Sequence, residues 1–308
     1  MRVCEVAQFG GPEVLRVAER RWPAPAPGQV VVEIAAASLN PTDIAARTGH
    51  HRRRMPELEP PFIPGWDFAG VVSDAGDGTS GFAAGSPVLG MIPWVRIGGR
   101  VGAHAEAAAV EPAWLTRRPE ALDAVSAATI PLNALTARQA LDLIDAPAGA
   151  TLLITGASGA VGGFATQLAA QDGLRVLAVA SDGDEQWVSS LGAAEVVPRS
   201  VELATLYPVD ALLDAVPIGA GAAAAVRDGG VALFTRGVEA GAADRGLRVV
   251  TPLVASDSAA LAELTALVAD GRLRTRVART FDLAQAAEAH RLLEGGGLRG
   301  KLVLTMGR

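Results

Sequence analysis

The sequence contains one cysteine and few aromatic residues, and each scarcity excludes a class of structure. Cys4 alone cannot form an internal disulfide, so a disulfide-stabilised fold is excluded. A thiol-poor chain with no apolar leader after Met1 is expected in a reducing cytoplasm. With 5 Trp, 1 Tyr and 7 Phe, the chain also lacks the aromatic side chains that build base-stacking or sugar-stacking surfaces.

An excess of basic charge is missing as well. The 27 Lys and Arg residues are outnumbered by 33 Asp and Glu residues, which gives a net charge of -6. This balance provides no attraction for a polyanion, so we expect no nucleic-acid partner. Half of the residues are apolar and 19% are charged, a composition that excludes a disordered or fibrous chain. At 308 residues the chain exceeds the usual size of one core, which predicts two domains.

No charged residue occurs between Ala146 and Gln171, a stretch longer than the about 20 residues that cross a bilayer. The middle of this stretch contains Gly156, Gly159, Gly162 and Gly163, and the stretch has neither a basic flank nor an aromatic belt. A strand, a tight turn and a buried helix explain the same apolarity. We therefore expect no membrane span.

The two halves of the chain differ in their sequence pattern. Residues 1–120 contain short runs of β-type composition separated by Gly and Pro turns, which predicts a β-rich, barrel-like domain. Residues 121–255 instead alternate Ala- and Leu-rich helices with short strands, which is typical of a doubly wound parallel sheet. Residues 256–308 are predicted to return to the first domain. The fold class is therefore α/β, with one doubly wound domain and one β-rich domain.

Two helices of the second domain have bounds that the structure can test. We predict one helix over residues 126–142 and another over residues 220–227. The strand Thr151–Thr155 is predicted to lead into a glycine-rich turn, and a second strand is predicted over Arg175–Ala180.

The glycine-rich turn reads Gly156-Ala-Ser-Gly159-Ala-Val-Gly162 and opens a predicted helix. Glycines at this spacing let the backbone approach a pyrophosphate, whose charge then lies on free N–H groups and at the positive end of the helix. The position between a strand and a helix makes a dinucleotide site the favoured interpretation over close packing alone. We assign to cofactor binding Gly156, Ser158, Gly159, Ala160, Val161 and Gly162.

The end of the second strand indicates which dinucleotide binds. An NAD site usually has an acidic residue there, whereas this chain has Ala180 followed by Ser181, which favours NADPH. Asp182 and Asp184 follow and would repel a 2′-phosphate unless a cation offsets them. Arg199, after the next strand, is the best-placed cation, and a solvated surface arginine remains the alternative.

Several motifs together resemble the medium-chain dehydrogenase/reductase superfamily, specifically its zinc-free quinone oxidoreductase branch, and the resemblance runs from end to end. The motifs are Asn40-Pro-Thr-Asp43, Arg47-Thr-Gly49, Pro61-Phe-Ile-Pro-Gly-Trp-Asp-Phe-Ala-Gly70, Gly81-Phe-Ala-Ala-Gly-Ser-Pro-Val-Leu-Gly90, Ile130-Pro-Leu-Asn-Ala-Leu-Thr-Ala137, the glycine-rich turn, and Gly300-Lys-Leu-Val-Leu304. The resemblance implies a GroES-like catalytic domain, a Rossmann domain for NADPH, a cleft between the two, and a homodimer.

Departures from the zinc-dependent relatives predict that this chain binds no metal. Those relatives have a zinc-binding cysteine where this chain has Asn40, and a zinc-binding histidine where it has Trp66. One cysteine cannot supply their four-cysteine structural zinc site. The four histidines are His50, His51, His104 and His290. They form no spaced ligand set, so we expect no metal.

A chain without a metal favours a conjugated hydride acceptor. Reduction of an isolated carbonyl creates a localised alkoxide that usually requires a Lewis acid or a strong proton donor. An enone or a quinone instead spreads the charge over an enolate or a hydroquinone anion, for which modest hydrogen-bond donors suffice. The expected partner is therefore a small conjugated carbonyl compound.

Asn40 is the candidate catalytic residue, because its amide could donate to the acceptor oxygen or orient the nicotinamide ribose. The alternative is a helix cap ahead of Pro41. Asp43 is interpreted as structural, paired with Arg47 one helical turn later.

The remaining cofactor-binding candidates come from two other positions in the chain. Asn133 and Thr136 resemble family positions near the nicotinamide, with capping or core packing as the alternative for Thr136. Asp214 and Val216 end the fourth strand beside the expected cofactor cleft. A family tyrosine near the substrate has no match, since Tyr207 is the only tyrosine.

The predicted function is zinc-independent, NADPH-dependent hydride transfer to a quinone or an enone. Two alternatives stay open: an enoyl reductase or tailoring enzyme of a biosynthetic pathway, and a non-catalytic NADPH-binding regulatory protein. The basic run from His50 to Arg54 is interpreted as a solvated loop, with a rim that attracts an anionic substrate or an acyl carrier as the alternative.

Overall fold

The computed structural model describes residues 1–50, 52, 56–79, 81–236 and 245–307. Most of the run from His50 to Arg54 therefore lies outside the described residues, and its two interpretations stay predictions. The contacts divide the chain into two compact units. The first comprises Met1–Leu132, Ala255–Arg272 and Arg276–Arg308, and the second comprises Asn133–Val254 and Leu273–Thr275.

The first unit is built mainly on antiparallel strands. Its strands are β1 (Arg2–Val6), β2 (Leu15–Glu19), β3 (Val30–Ser38), β4 (Asp67–Ala75), β5 (Pro87–Met91), β6 (Ala107–Val110), β7 (Leu115–Arg117), β14 (Val277–Asp282) and β15 (Lys301–Thr305). Only β14 and β15 pair in parallel among these described strands. In the described part of the chain, the main sheet has the order β14-β15-β3-β4-β5-β7, β6 pairs with β3, and β1 and β2 form a hairpin. Strand β3 is central and is buried along its length except at Glu33 and Ala35.

Four helices accompany these strands: α1 (Pro41–Arg47), α2 (Ala124–Ala127), α7 (Ser258–Ala269) and α8 (Ala286–Gly295). Asp257 caps α7 by accepting hydrogen bonds from two backbone N–H groups, which satisfies donors that the first turn leaves free. Helix α8 packs against α1 and β15. Leu39 and Asn40, which connect β3 to α1, are both buried.

The second unit is a parallel sheet. Its strands are β8 (Thr151–Thr155), β9 (Arg175–Ala180), β10 (Glu195–Pro198), β11 (Val209–Asp214), β12 (Val226–Phe234) and β13 (Arg248–Val250). Among the described residues the order is β10-β9-β8-β11-β12-β13, and every pair is parallel. The direction of winding reverses between β8 and β11, and open α/β sheets bind ligands beyond the strand ends at this point. The predicted doubly wound sheet is confirmed.

The helices of this sheet are α3 (Pro131–Ile144), α4 (Ala160–Gln171), α5 (Glu185–Ser190) and α6 (Ala220–Ala223). Helix α4 follows the glycine-rich turn and is buried over most of its length. The uncharged stretch from Ala146 to Gln171 is thus strand β8, the turn and α4. Within the described residues, no helix has the combination of length and apolarity that a bilayer crossing needs.

Two predicted helices were wrong in their bounds. The helix predicted over residues 126–142 is divided into α2 and α3, because Pro131 cannot continue α2 but fits the first turn of a new helix. The helix predicted over residues 220–227 ends at Ala223, because Val226 already pairs with Val209 as the start of β12.

The compact units change at Leu132, whereas the predicted domain boundary lay at residue 120. Helix α2 packs against β3 and β4, which keeps residues 121–132 with the first unit. Residues 273–275 belong to the second unit, where the Gln167 side chain bonds both the N–H and the carbonyl of Arg274.

Candidate functional site

The glycine-rich turn has no room for side chains at two positions. Gly156 has φ +64°, and a Cβ there would lie 2.5 Å from Val216 Cγ1. A Cβ on Gly162 would lie 2.3 Å from the carbonyl oxygen of Gly156. Both contacts are too short for any other residue, so the sequence keeps the turn tight against the start of α4. The free N–H groups at the start of a long buried helix form a site for phosphate groups.

Ser158 connects this turn to the end of the neighbouring strand. Its Oγ accepts a hydrogen bond of 2.9 Å from Ser181 N–H, and Ala157 N–H donates to the carbonyl of Val179. Ser158 is buried and Ser181 is half-buried. The glycine-rich turn and the end of β9 are therefore hydrogen-bonded to each other beside the N-terminus of α4.

Arg199 and Ser181 directly follow the ends of two paired strands. Strand β10 pairs with β9 so that Pro198 is opposite Ala180, and the next residue of each strand is Arg199 and Ser181. The Arg199 side chain is exposed. The two candidates for 2′-phosphate recognition thus follow the ends of neighbouring strands, and their role toward a phosphate stays a prediction.

The two aspartates after Ser181 have different environments. Asp184 is buried at the N-cap position of α5, whereas Asp182 is exposed. A buried carboxylate at a helix N-terminus interacts favourably with the helix dipole, which reduces its repulsion of a neighbouring anion.

Asp214 and Val216 border the same crevice from β11. Asp214 accepts hydrogen bonds from Thr155 Oγ1 at 2.5 Å and from Gly219 N–H at 2.9 Å. Burial raises the pKa of Asp214, and these hydrogen bonds oppose the rise. Asp214 therefore holds the loop after β11, and Val216 is the part-exposed side chain that contacts the Gly156 position.

Asn133 and Thr136 occupy the first turns of α3, one helical turn apart. Asn133 is buried and Thr136 is half-buried. Their spacing places them on one face of the helix. Their role toward a nicotinamide stays a prediction.

Asn40 lies between β3 and α1, at the N-cap position of α1, which is the structural role that the sequence offered as the alternative. Its backbone N–H donates to Asp43 Oδ2 at 2.8 Å. Its side-chain amide donates from Nδ2 to Asp67 Oδ2 at 2.8 Å and accepts at Oδ1 from Lys301 Nζ at 2.6 Å. The amide thus has one fixed orientation, with its oxygen on a cation and its nitrogen on a carboxylate.

We call Ser38, Asn40, Asp43, Asp67 and Lys301 the Asn40 cluster. All five residues are buried. Asp67 accepts further hydrogen bonds from Ser38 Oγ at 2.8 Å and from Leu132 N–H at 2.5 Å. Lys301 also donates to the carbonyl of Leu39.

Burial controls the protonation of the Asn40 cluster. It raises the pKa of Asp43 to about 7, against the opposing effects of Asn40 N–H and the Lys301 ammonium. It raises the pKa of Asp67 as well, and Lys301 and the hydrogen bonds from Asn40 and Leu132 oppose that rise. It lowers the pKa of Lys301, and both aspartates oppose the change.

The predicted pairing of Asp43 with Arg47 is wrong. Arg47 is fully buried and its Nη2 pairs with Glu294 of α8. The spacing of four residues along α1 would permit the predicted pair, but the packing of α8 on α1 provides another carboxylate. Asp43 instead serves the N-terminus of its own helix.

Two histidines extend this buried polar region. His104 Nε2 lies 3.4 Å from the carbonyl oxygen of Ser38. The His104 and His290 rings meet edge to face at 6.2 Å. Burial lowers the pKa of His104 to about 4 and that of His290 well below its ordinary value.

The residues present do not fit the zinc of the zinc-dependent relatives. Trp66, at the position of the histidine ligand, offers an indole N–H and no lone pair for a metal. Its ring packs edge to face on Trp94 at 6.2 Å. Across the described residues, no group of three or more His, Cys, Asp or Glu side chains is arranged to hold a metal ion.

Asp67 and Lys301 lie in two of the family motifs, but the sequence alone indicated no role for either residue. One signal was available for Lys301, because it is the only lysine of the chain. No comparable signal marks Asp67, whose partners are distant in sequence.

The chain matches two family models: the alcohol dehydrogenase GroES-like domain over residues 26–120 and the zinc-binding dehydrogenase over residues 191–304. It is 28% identical to the NADPH-dependent alkenal/one oxidoreductase of Arabidopsis thaliana over 99% of this chain and 79% of that protein. It is 37% identical to the quinone oxidoreductase of Rattus norvegicus, but over only 64% of this chain and 58% of the rat protein. The solved quinone oxidoreductase of Coxiella burnetii superposes with a TM-score of 0.90 at 30% identity, covering 100% of this chain and 99% of that one.

Proposed function

Because the chain belongs to the medium-chain dehydrogenase/reductase superfamily, we propose that it is an NADPH-dependent oxidoreductase that reduces quinones or enones without a metal. The observation that carries the proposal is the pair Asn40 and Trp66 at the zinc-ligand positions of a chain that keeps a complete nucleotide turn. Relatives named quinone oxidoreductase and alkenal/one oxidoreductase support the same acceptor chemistry.

The nicotinamide cofactor would supply the hydride when bound. The tight turn at Gly156 and Gly162 and the N-terminus of α4 would hold its pyrophosphate. Ser181 and Arg199, adjacent across β9 and β10, would bind the 2′-phosphate. A guanidinium and backbone N–H groups fit a phosphate dianion, and for this reason we favour NADPH over NADH.

Asn133 and Thr136 are proposed to contact the nicotinamide side of the cofactor, and the loop held by Asp214 to border it through Val216. These residues bind and orient the cofactor and exclude water, which is the main contribution that a protein makes to hydride transfer.

Asn40 is proposed to act on the acceptor. The bonds to Asp67 and Lys301 use one N–H and the oxygen of its amide, which leaves the second N–H of Nδ2 as the group that could donate to an acceptor oxygen. A delocalised enolate or hydroquinone anion needs only such a modest donor.

A homodimer is proposed on the basis of the edge strand β13. This strand ends the parallel sheet in the described part of the chain, with Val249 42% exposed and Leu253, just beyond it, 75% exposed. An apolar strand edge is suited to pairing with a second copy of the chain. The single cysteine supports a cytoplasmic location, which we also propose.

Oxidation of NADPH in the presence of a panel of simple quinones and short enones tests the proposed function. Turnover with several of them supports it. Binding of NADPH with feeble turnover of every simple acceptor would favour a tailoring enzyme with an elaborate substrate. Binding of NADPH without any turnover would favour a non-catalytic regulatory protein.

A further inference from the structure

The only lysine of this chain is buried. All other basic side chains among the 27 Lys and Arg residues are arginines, so arginine serves wherever a cation faces solvent. Lys301 is only 7% exposed and lies at the first position of β15. An ammonium is costly to bury, and a chain that otherwise uses arginine has kept one at this position.

The surroundings of Lys301 explain why arginine would not serve there. Its Nζ donates to Asn40 Oδ1 and to the carbonyl of Leu39, two acceptors on consecutive residues. A compact ammonium can direct its protons at both, whereas a planar guanidinium is larger and has its donors in a fixed fork. The site therefore fits the shape of an ammonium as well as its charge.

The Lys301 ammonium also determines the orientation of the amide it contacts. An Asn side chain can present either its oxygen or its nitrogen in a given direction. A cation on one side and the Asp67 carboxylate on the other allow only the observed arrangement, with Oδ1 toward Lys301 and Nδ2 toward Asp67. Removal of the ammonium would leave Asp67 alone to orient the amide.

Titratable groups from several elements lie near Lys301 and affect its pKa or are affected by its charge. Asp67 comes from β4 and Asp43 from α1, and both favour its charged form. His104, from the segment before β6, is neutral at pH 7, and its pKa is lowered by burial and by the Lys301 charge. Beyond His104 lie His290 of α8 and Arg47 of α1.

We propose that Lys301 is a positioning residue, whose ammonium fixes the Asn40 amide in the orientation that the reduction of the acceptor requires. The proposal rests on the proposed function, in which Asn40 acts on the acceptor. Lys301 itself touches neither acceptor nor cofactor in this scheme and acts through Asn40.

The first test measures the titration of Lys301 in the wild-type protein and in two variants, and it needs no activity. Lysine labelled with ¹³C at Cε gives one lysine signal in the NMR spectrum, because the chain has one lysine. We expect this signal to titrate with a pKa below that of an exposed lysine. In Asn40→Ala and Asp67→Asn the pKa should fall further, because each variant removes a group that favours the ammonium.

Asp228→Asn is the matched control for the titration, because Asp228 is highly exposed and belongs to the other unit. It should leave the signal unchanged. A lysine signal that titrates like an exposed one, or that does not respond to Asn40→Ala, would overturn the proposal.

The second test compares turnover with stability. Lys301→Met should lower kcat for a conjugated acceptor by about tenfold to a hundredfold, the scale of a misplaced functional group. The KM for NADPH should change by less than about twofold, because the group acts on the acceptor side. Lys301→Arg should lose a similar part of kcat, since it keeps the charge and not the shape.

The double variant Lys301→Met/Asp67→Asn separates positioning from charge balance. It removes one positive and one negative buried charge, so we expect its melting temperature to exceed that of Lys301→Met. Its kcat should stay low, because both charged groups that orient the Asn40 amide are gone. Recovery of kcat together with stability would overturn the proposal, as would full activity of Lys301→Met or Lys301→Arg.

Failure of the proposed function has a different signature. A wild-type protein that reduces no quinone or enone would refute that function, whereas the lysine titration would still report on the contact with Asn40. An active wild-type protein with unaffected Lys301 variants would refute only the positioning role.

Discussion

Thr155 donates a hydrogen bond from Oγ1 to Asp214 Oδ1 at 2.5 Å, across the two central strands of the parallel sheet. The other oxygen of Asp214 accepts from Gly219 N–H, so one buried carboxylate joins the end of β8 to the loop after β11. Because the winding of the sheet reverses between these strands, the hydrogen-bonded pair lies where we propose that the nucleotide binds.

Loss of this pair should weaken both the fold and cofactor binding. Thr155→Val leaves the Oδ1 atom of Asp214 without its donor, so the free energy of unfolding should fall by about 1 to 3 kcal/mol. The Kd for NADPH should rise, since the loop that carries Val216 is held less firmly. Thr205→Val, at an exposed hydroxyl that donates to the carbonyl of Glu202 in its own turn, is the control and should change neither quantity. Wild-type stability in Thr155→Val, measured by urea denaturation, would contradict the assignment.

Cofactor preference should depend on Ser181 and Arg199, which follow the ends of β9 and β10. NADPH should bind about tenfold more tightly than NADH, because one charge-assisted contact to the 2′-phosphate contributes on the order of 1.5 to 3 kcal/mol and the exposed Asp182 subtracts from it. Arg199→Ala should remove most of this preference and leave NADH binding unchanged. Arg227→Ala, in which an exposed ion pair with Asp210 is lost, provides the matched control in titrations of both cofactors. Equal affinity of the wild-type protein for the two cofactors would remove Ser181 and Arg199 from the site.

The purified protein should contain no stoichiometric zinc. The positions of the two ligands hold Asn40 and Trp66, and neither side chain is a zinc ligand of the usual kind. Elemental analysis together with an activity assay after treatment with chelators checks this expectation. One zinc per chain whose removal abolishes activity would refute the proposed mechanism.

Asn40→Ala should lower both turnover and stability. Stability should fall because the amide has two buried charged partners, Asp67 and Lys301. We expect a loss of about 1 to 3 kcal/mol in unfolding free energy and about tenfold to a hundredfold in kcat with a conjugated acceptor. Unchanged kcat per folded molecule would show that Asn40 only supports the scaffold.

The dependence of stability on pH should reveal the neutral His104. Its pKa is lowered to about 4 in the folded protein, so the unfolded chain binds more protons between pH 6.5 and pH 4. The contribution of His104 to stability is therefore present above about pH 6.5 and is lost as the pH falls toward 4. Asp43 acts in the opposite sense in the same window, because its pKa is raised to about 7.

The measurement is therefore the difference between two proteins. Relative to His104→Gln, the wild-type protein should lose on the order of 1 to 3 kcal/mol between pH 7 and pH 4.5. Urea denaturation of both proteins at each pH gives this difference. A difference that does not change with pH would mean that His104 is not held neutral.

Local patterns predicted the parts of this structure that depend on neighbouring residues. The alternation of helices and strands predicted the doubly wound sheet, and the spacing from Gly156 to Gly162 predicted the turn that opens α4. Ser181 and Arg199 follow consecutive strands of the chain, and these strands are neighbours in the sheet. Element bounds failed where a single residue decided them, as Pro131 did between α2 and α3.

Contacts between distant residues could not be predicted in the same way. Lys301 meets Asn40 across 261 positions of sequence, and Arg47 meets Glu294 across 247. Spacing along α1 suggested Asp43 as the partner of Arg47, but tertiary packing supplied another. The role of Asn40 in the scaffold follows from partners that no local pattern connects to it.

A chain whose only side-chain amine is buried carries its own reporter of unfolding. Apart from the N-terminus, a reagent that modifies primary amines has one target, Lys301, and can reach it only when β15 separates from its neighbours. The rate of modification should therefore follow the opening of this region. A protease that cleaves only after lysine should leave the folded protein whole and divide the unfolded chain at a single position near its C-terminus.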